Sequence, residues 1–261
     1  FVLSSTWNHS VNLRHKYSAG AEFNHTKGMH YKTMDDLLGG NPIVDIDKYA
    51  AKDYGRYSLE AQNDLNNPNR VISEGDRFGY DYDINVNRAK AWGNYQYSGK
   101  HWTFVGQGHI DATGISRYGN MRCGRYADNS YAHDGSDDGH VARFLGGGMK
   151  AAVDYSPNRN HTLSVAASIS SNAPLARNAF VAPREQNNFV DNLTNEDIFS
   201  AEASYAFTFG PFSGKVAGYY TLFRHGVEQT AFYNDQQERF TYLTMTDVER
   251  RHCGIEAAVS Y

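Results

Sequence analysis

Apolar and polar residues alternate with a period of two along almost the whole chain. In residues 200–209, SAEASYAFTF, Ala201, Ala203, Tyr205, Phe207 and Phe209 alternate with Ser200, Glu202, Ser204, Ala206 and Thr208. Leu163, Val165, Ala167 and Ile169 likewise oppose Thr162, Ser164, Ala166, Ser168 and Ser170. Met149, Ala151, Val153 and Tyr155 oppose Lys150, Ala152 and Asp154, and Trp102, Phe104, Ile110 and Ala112 oppose Thr103, Gln107, His109 and Asp111. Successive side chains on a strand point to opposite faces, so this alternation predicts strands with one apolar and one polar face. It gives about nine strands, near residues 1–11, 15–34, 78–98, 101–117, 141–156, 160–173, 196–209, 212–232 and 239–261.

One strand changes phase. In DINVNRAKAWGNYQY, Ile84 and Val86 share one parity, while Ala89, Ala91, Gly93, Tyr95 and Tyr97 share the other. Either a β-bulge near Asn87 restores a single apolar face, or Ile84 and Val86 lie past the region in which the face matters.

The connections are informative in their own right. Those near 12–14, 99–100, 157–159 and 210–211 are very short, and those near 35–77, 118–140 and 174–195 are long. Short and long alternate, and only the last, near 234–238, breaks the rule. In an up-and-down sheet alternate connections lie at opposite ends, so one end is trimmed and the other elaborated, as in outer-membrane barrels. Strands of this length exceed the roughly 9–11 residues that cross a bilayer. They would project beyond it. Connections as long as 35–77 are usually functional or disordered, and DKYAAKD within it reads as a short helix.

Composition sharpens the choice between a protein core and lipid. The chain has 261 residues, 19 Tyr, 14 Phe, 24 Gly and 22 Asn, but only 12 Leu. The apolar faces mix Ala and Gly with aromatics, whereas a packed interior needs bulky aliphatics. The polar faces carry Glu22, Lys90, Asp111, Lys150, Asp154, Glu202 and Glu256 at mid-strand, which a water-filled lumen accepts. Aromatics gather beside the short turns: Tyr17, Tyr95, Tyr97, Trp102, Phe104, Tyr155, Phe207 and Phe209. That is where a girdle at a membrane interface would lie. No stretch reaches the roughly 18 apolar residues of a membrane helix. The net charge of −4 gives no reason to expect a nucleic-acid partner. An odd number of strands, open at both ends, reads as an internal piece of a larger barrel. These readings specify an all-β, antiparallel, up-and-down transmembrane β-barrel segment, with outer-membrane lipid as its first partner.

The run AQNDLNNPNR followed by EGDRFGYDYDINVNRAKAWGNYQY resembles the barrel region of TonB-dependent outer-membrane receptors, in the group with a carboxypeptidase-regulatory-like domain. GISRYGNMRCGRYADNS, NAPLARNAFVAPREQNN, TNEDIFSAEASYAF, GKVAGYYTLF and MTDVERRHCGIEAAVSY fit the same group in the same order. The resemblance covers nearly the whole chain, so residues 1–261 are expected to be a partial barrel domain. It implies a barrel of 22 strands in a Gram-negative outer membrane, closed by an N-terminal plug domain and coupled to TonB through that plug. It implies active uptake of a nutrient, with the ligand (small molecule, glycan or peptide) left open. A passive pore or adhesin-like barrel is the alternative, and a soluble ligand-binding barrel a more distant one.

Enzymatic and metal motifs are scarce. There is no G-x-S-x-G, H-E-x-x-H or P-loop, and the serine of GISRYG has the wrong spacing. His109 and Asp111 share a face and are better read as lumen lining. HDGSDDGH at 133–140 offers oxygen ligands but lacks calcium-loop spacing. No catalytic residue, metal or cofactor is expected. Cys123 and Cys253 have no metal-ligand spacing, and Cys253 reads as a packed thiol. The candidate ligand contacts are Arg117, Tyr118, Arg122, Arg125 and Tyr126, in SRYGNMRCGRY of a long connection. Arginine and tyrosine are the side chains that contribute most at recognition surfaces.

Overall fold

The computed structural model describes residues 1–135, 141–236 and 239–261. Its elements are β1 (Val2–Ser10), β2 (His15–Thr33), β3 (Ile43–Val44), α1 (Lys48–Tyr54), β4 (Val71–Ile72), β5 (Arg77–Ser98), β6 (Trp102–Gly119), β7 (Ala142–Asn158), β8 (His161–Asn172), β9 (Glu196–Phe209), β10 (Phe212–Asn234) and β11 (Arg239–Ser260). Nine strands form one antiparallel sheet in the order β1-β2-β5-β6-β7-β8-β9-β10-β11, and β3 and β4 form a separate pair. Each long strand therefore lies beside its predecessor in sequence, apart from the β3–α1–β4 insertion between β2 and β5. The short helix expected around DKYAAKD is α1, opened by Asp47, whose carboxylate accepts from the Tyr49 and Ala50 amides.

The sheet has an inner face, on which the long connections pack, and an outer face. Burial along the strands is the reverse of a soluble protein's. On β8 the outward Leu163, Val165, Ala167 and Ile169 are exposed, while the inward Ser164, Ala166, Ser168 and Ser170 are partly covered. Outward Leu145 is 78% exposed, whereas inward Asp111, next to Leu145's ladder partner Ala112 on β6, is 3% exposed. Apolar residues form the outer belt, from Trp102 to Ala112 on β6, Leu145 to Tyr155 on β7 and Phe199 to Phe209 on β9, eleven residues each. The next outward residue on β7 is Arg143 and on β9 Asp197. The Ala201–Tyr205–Phe209 row thus lies open on the outer face, with no second layer over it among the described residues.

At the short-turn end the belt closes on an aromatic band. Ring centroids lie 4.9 Å apart for Tyr17 and Tyr95, 6.1 Å for Tyr95 and Phe104, and 4.4 Å for Trp102 and Tyr155. The inner wall is polar and ion-paired, with Arg88 on Asp111 and Lys215 facing Glu202. Glycine is required in that wall where Asp111 turns in: a Cβ on Gly146 would stand 2.6 Å from an Asp111 carboxylate oxygen.

The bulge expected near Asn87 does not form. The β2–β5 ladder runs without a break from His15↔Tyr97 to Tyr31↔Asp81. Ile84 and Val86 stay on the inner face, because there the inner face is covered by protein rather than water. Tyr82, Ile84, Ile115, Ala179 and Phe180 form a small buried core at the long-connection end, with Val86, Phe144 and Phe189 against it. Phe180 is fully buried and stacks on Phe189 at 4.8 Å. Cys253 also departs from expectation. It is exposed on the outer face rather than packed, because its ladder partner Tyr220 belongs to the outward row.

This core is what holds the 173–195 connection down. Phe180→Ala is expected to cost about 3–5 kcal/mol locally. Amide exchange should rise across 173–195 while the β6–β9 ladder keeps its protection.

Candidate functional site: the folded long connections

The three long connections do not hang free. They pack together over the inner face as a cap, and the sequence explains how. In the first connection the buried carboxylate of Asp45 accepts from Asn63 Nδ2 (2.8 Å), Arg70 Nη2 (2.9 Å) and the Gly79 amide (3.0 Å). One aspartate so ties three separate turns. The second connection docks on the first through its backbone. The Leu65 amide donates to Arg122 O (2.8 Å), and the Gly124 amide donates to Gln62 O (2.9 Å). The approach admits no side chain, since a Cβ on Gly124 would fall 1.9 Å from the Leu59 carbonyl oxygen. The third connection is held to β10, where Gln229 Nε2 donates to Val181 O (2.7 Å) and Asn178 Nδ2 donates to Val227 O (2.7 Å).

Arg117 joins the second and third connections to the sheet. It lies on β6, facing inward, and is 4% exposed. Its Nε donates to Pro183 O (2.6 Å), and its Nη1 donates to Ser130 O (2.9 Å) and to Asn187 Oδ1. The guanidinium sits 4.7 Å from the Tyr82 ring centroid. Carbonyl oxygens and an aromatic face replace a carboxylate, so the planar fork fixes geometry as well as satisfying charge.

The five residues singled out in the sequence thus separate. Arg117 and Tyr118 are on β6 rather than in the connection. Tyr118 is partly exposed on the outer face, edge-on to His133 at 5.2 Å. Arg122 donates from Nε to Ala127 O (2.7 Å) and lies 3.7 Å from Asp128. Arg125 stands where all three connections meet, 4.0 Å from Asp47 and 3.8 Å from Glu185. At such distances and exposure each ion pair contributes little. Tyr126 lies beside it, the two 5.5 Å apart. Burial raises the Tyr126 phenol above its ordinary value, with Glu185 adding to the effect. Burial also pushes the Cys123 thiol up to about 11.

Sequence reasoning missed Asp45, Asn187, Gln229 and Arg184. Arg184 lies over the Tyr80 ring at 5.0 Å and is exposed. Nothing in the sequence pairs Arg117 with residue 183 or 187, because those contacts follow from the fold of two connections. No group of three or more His, Cys, Asp or Glu among the described residues is placed to hold a metal. Of the acidic stretch 133–140, residues 136–140 lie outside the described residues. What the cap offers chemically is a set of arginine and tyrosine side chains above a polar inner wall.

No protein-family model and no curated protein matches the chain. Solved structures do. The copper transporter OprC matches at 12% identity with a TM-score of 0.66, over 100% of this chain and 34% of OprC. The iron transporter FrpB from Neisseria meningitidis (F3-3 variant) matches at 11% identity and TM-score 0.59, over 98% of this chain and 32% of FrpB. The ferric-catecholate import receptor Fiu from E. coli K12 matches at 16% identity and TM-score 0.56, over 99% of this chain and 35% of Fiu. All are TonB-dependent outer-membrane receptors or transporters. The chain therefore has the fold of a segment of a TonB-dependent receptor barrel, and it spans about a third of the length of the proteins it matches.

Cys123 reports on the cap. A pKa raised to about 11 keeps the thiol neutral at pH 7–8, and the thiolate is the reacting form. Alkylation of Cys123 should be slow at pH 8 and rise about tenfold per pH unit toward pH 11. Arg117→Gln strands the Pro183 and Ser130 carbonyls and should cost roughly 3 kcal/mol. It should speed Cys123 alkylation at pH 8 and open 120–134 and 173–195 to limited proteolysis.

Proposed function

We propose that the chain is part of the barrel of an outer-membrane receptor that takes up a scarce nutrient with energy delivered through TonB. The observation that supports this most is the belt: outward apolar residues over eleven positions on β6, β7 and β9, with Arg143 on β7 and Asp197 on β9 at one end and aromatic rings at the other. That length matches the 9–11 residues of a membrane-crossing strand. An aromatic band beside the short turns is the expected boundary at a headgroup layer. The short turns would then face the periplasm and the cap the exterior of a Gram-negative cell.

The barrel reading implies further strands. β1 and β11 are each paired on one side only among the described residues, and an open edge within the belt, as on the Cys253–Ser260 part of β11, is not stable in lipid. Closure by more strands, a plug inside the polar wall and coupling of that plug to TonB complete the proposal. The role is transport rather than catalysis. Ligand contact falls to the cap. Arg117 positions the connections and Tyr118 faces outward from β6, which leaves Arg122, Arg125 and Tyr126 as the candidate contacts, joined by the exposed Arg184. The transported nutrient belongs to no class that these residues single out. That OprC is a copper transporter and FrpB an iron transporter supports uptake as the role without fixing the nutrient.

The lipid-facing belt has a direct test in the natural protein that carries this chain. Ala151→Arg, outward at mid-belt, should cost about 2–4 kcal/mol of folding stability in phosphatidylcholine vesicles. Lys150→Ala, one residue along and facing inward, should change it by less than about 1 kcal/mol. Energy coupling has its own readout. A cysteine cross-link between the natural protein and TonB in cells supports active uptake, whereas ion conductance in planar bilayers without any such cross-link would assign a passive pore.

A further inference from the structure

The outer face of β2–β7 carries two features that nutrient uptake does not use. The first is a groove of about 610 Å³ near the upper edge of the belt. Its floor is made by Ala89, Ala91 and Ala112, which the register sets side by side: Ala89 pairs with Ala112, and Ala91 with Ile110. Longer side chains rise on both flanks, Phe23 on β2 and Ile110 and Leu145 on β6 and β7. Ile110 is 66% and Leu145 78% exposed, so the walls stand above a floor of methyl groups. Its lining crosses the sheet within two outward rows, from Leu3 and Ser5 on β1 to Leu145 on β7.

The second feature is Arg143. Arg143 pairs with Gly114, Gly114 with Asn87, and Asn87 with His25. This row lies one outward step above Phe23, Ala89, Ala112 and Leu145, just beyond the residues that line the groove. His25 and Asn87 are already hydrogen-bonded to each other (2.7 Å). Arg143 is exposed and has no ion-pair or hydrogen-bond partner among the described residues. It differs in this from Arg224 and Arg251, the outward arginines of β10 and β11, which both face Glu249. Gly114 beside it has no side chain to crowd the guanidinium.

We propose that the groove and Arg143 together bind one membrane lipid with an anionic phosphate headgroup, an acyl chain lying over the alanine floor and the phosphate bonded to Arg143. The inference rests on the membrane reading of the belt. The argument is one of relative position. An apolar groove alone would accept any chain, and a lone surface arginine would accept any anion. Here the cation sits one residue pair past the last apolar row, at the depth where a phosphate must lie if its chain occupies the groove. Arginine is also the side chain whose planar donors match phosphate oxygens. A free phosphate ion would need no groove.

The test uses the natural protein purified in detergent and native mass spectrometry with three probes: dioleoylphosphatidylglycerol, dioleoylglycerol and inorganic phosphate. Phosphatidylglycerol should be retained at one per protein, dioleoylglycerol about tenfold more weakly, since one charge-assisted hydrogen bond is worth that much, and inorganic phosphate not at all. Arg143→Gln should abolish the preference for phosphatidylglycerol while leaving residual binding of both lipids. Ala112→Leu, which fills the floor, should weaken both, and Arg224→Gln should change neither. The proposal is overturned if Arg143→Gln protein keeps the preference, if Ala112→Leu protein binds both lipids as the parent does, or if inorganic phosphate binds as well as the lipid. Insertion into membranes without selective retention would defeat this inference alone. A protein that stays in solution without detergent and enters no membrane would defeat the belt reading beneath it.

Discussion

In hydrocarbon a backbone amide or carbonyl has no water to bond, so every such group must be paired within the protein. The long ladders of this sheet obey that constraint where it applies and relax where it does not. Register is broken between Tyr31 and Thr33, between Phe223 and Glu228, and between Tyr155 and Asn158. All three lie beyond the belt, whose outward residues end at Phe23 on β2, Leu222 on β10 and Tyr155 on β7. His225 and Asp247, non-glycine residues with positive φ, fall in the same upper region. They are joined there by a 2.8 Å contact. Within the belt the pairing is uninterrupted, and side-chain chemistry is confined to the choice between outward apolar and inward polar.

Above the belt the same strands meet a different environment, and their chemistry changes with it. The outer face turns ionic, with Lys27 2.9 Å from Asp83 and Arg77 2.8 Å from Asp81. The inner face turns apolar and buries Ile84, Ile115 and Phe180 under the third connection. The polarity of the two faces therefore inverts along single strands such as β5. This inversion lets one sheet serve as a membrane wall at one end and as the floor of a folded cap at the other. The cap is tied by Asp45, Arg117 and Gln229, so its arginine and tyrosine side chains stand on a backbone fixed by side-chain bonds.

Much of the wall was legible in the sequence, because strand period and turn length are local properties. All nine long strands lie where alternation places them, and α1 lies where DKYAAKD suggests. The phase change at Ile84 was visible, but its cause was not, since choosing between a bulge and a covered inner face requires the position of Phe180, almost a hundred residues away. Arg117 shows the same limit. Its type and neighbourhood suggested a ligand contact in a loop, whereas its partners are backbone carbonyls at 130 and 183 that no sequence pattern marks. From sequence alone Cys253 reads as packed, because cysteine is usually buried. On an outward row of a membrane wall the rule changes, as lipid rather than protein surrounds an apolar side chain.

The central claim is that the outward row is solvated by acyl chains while the inward row faces water. Its most direct measurement is a nitroxide scan of residues 143–157 on β7 in the natural protein reconstituted into bilayers, reading collision with oxygen and with a water-soluble nickel chelate. The account predicts a period of two: high oxygen and low nickel accessibility at 145, 147, 149, 151, 153 and 155, and the reverse or mutual protection at the even positions between them. Low accessibility to both reagents at the odd positions, the mark of side chains buried beneath another layer of protein, would contradict it.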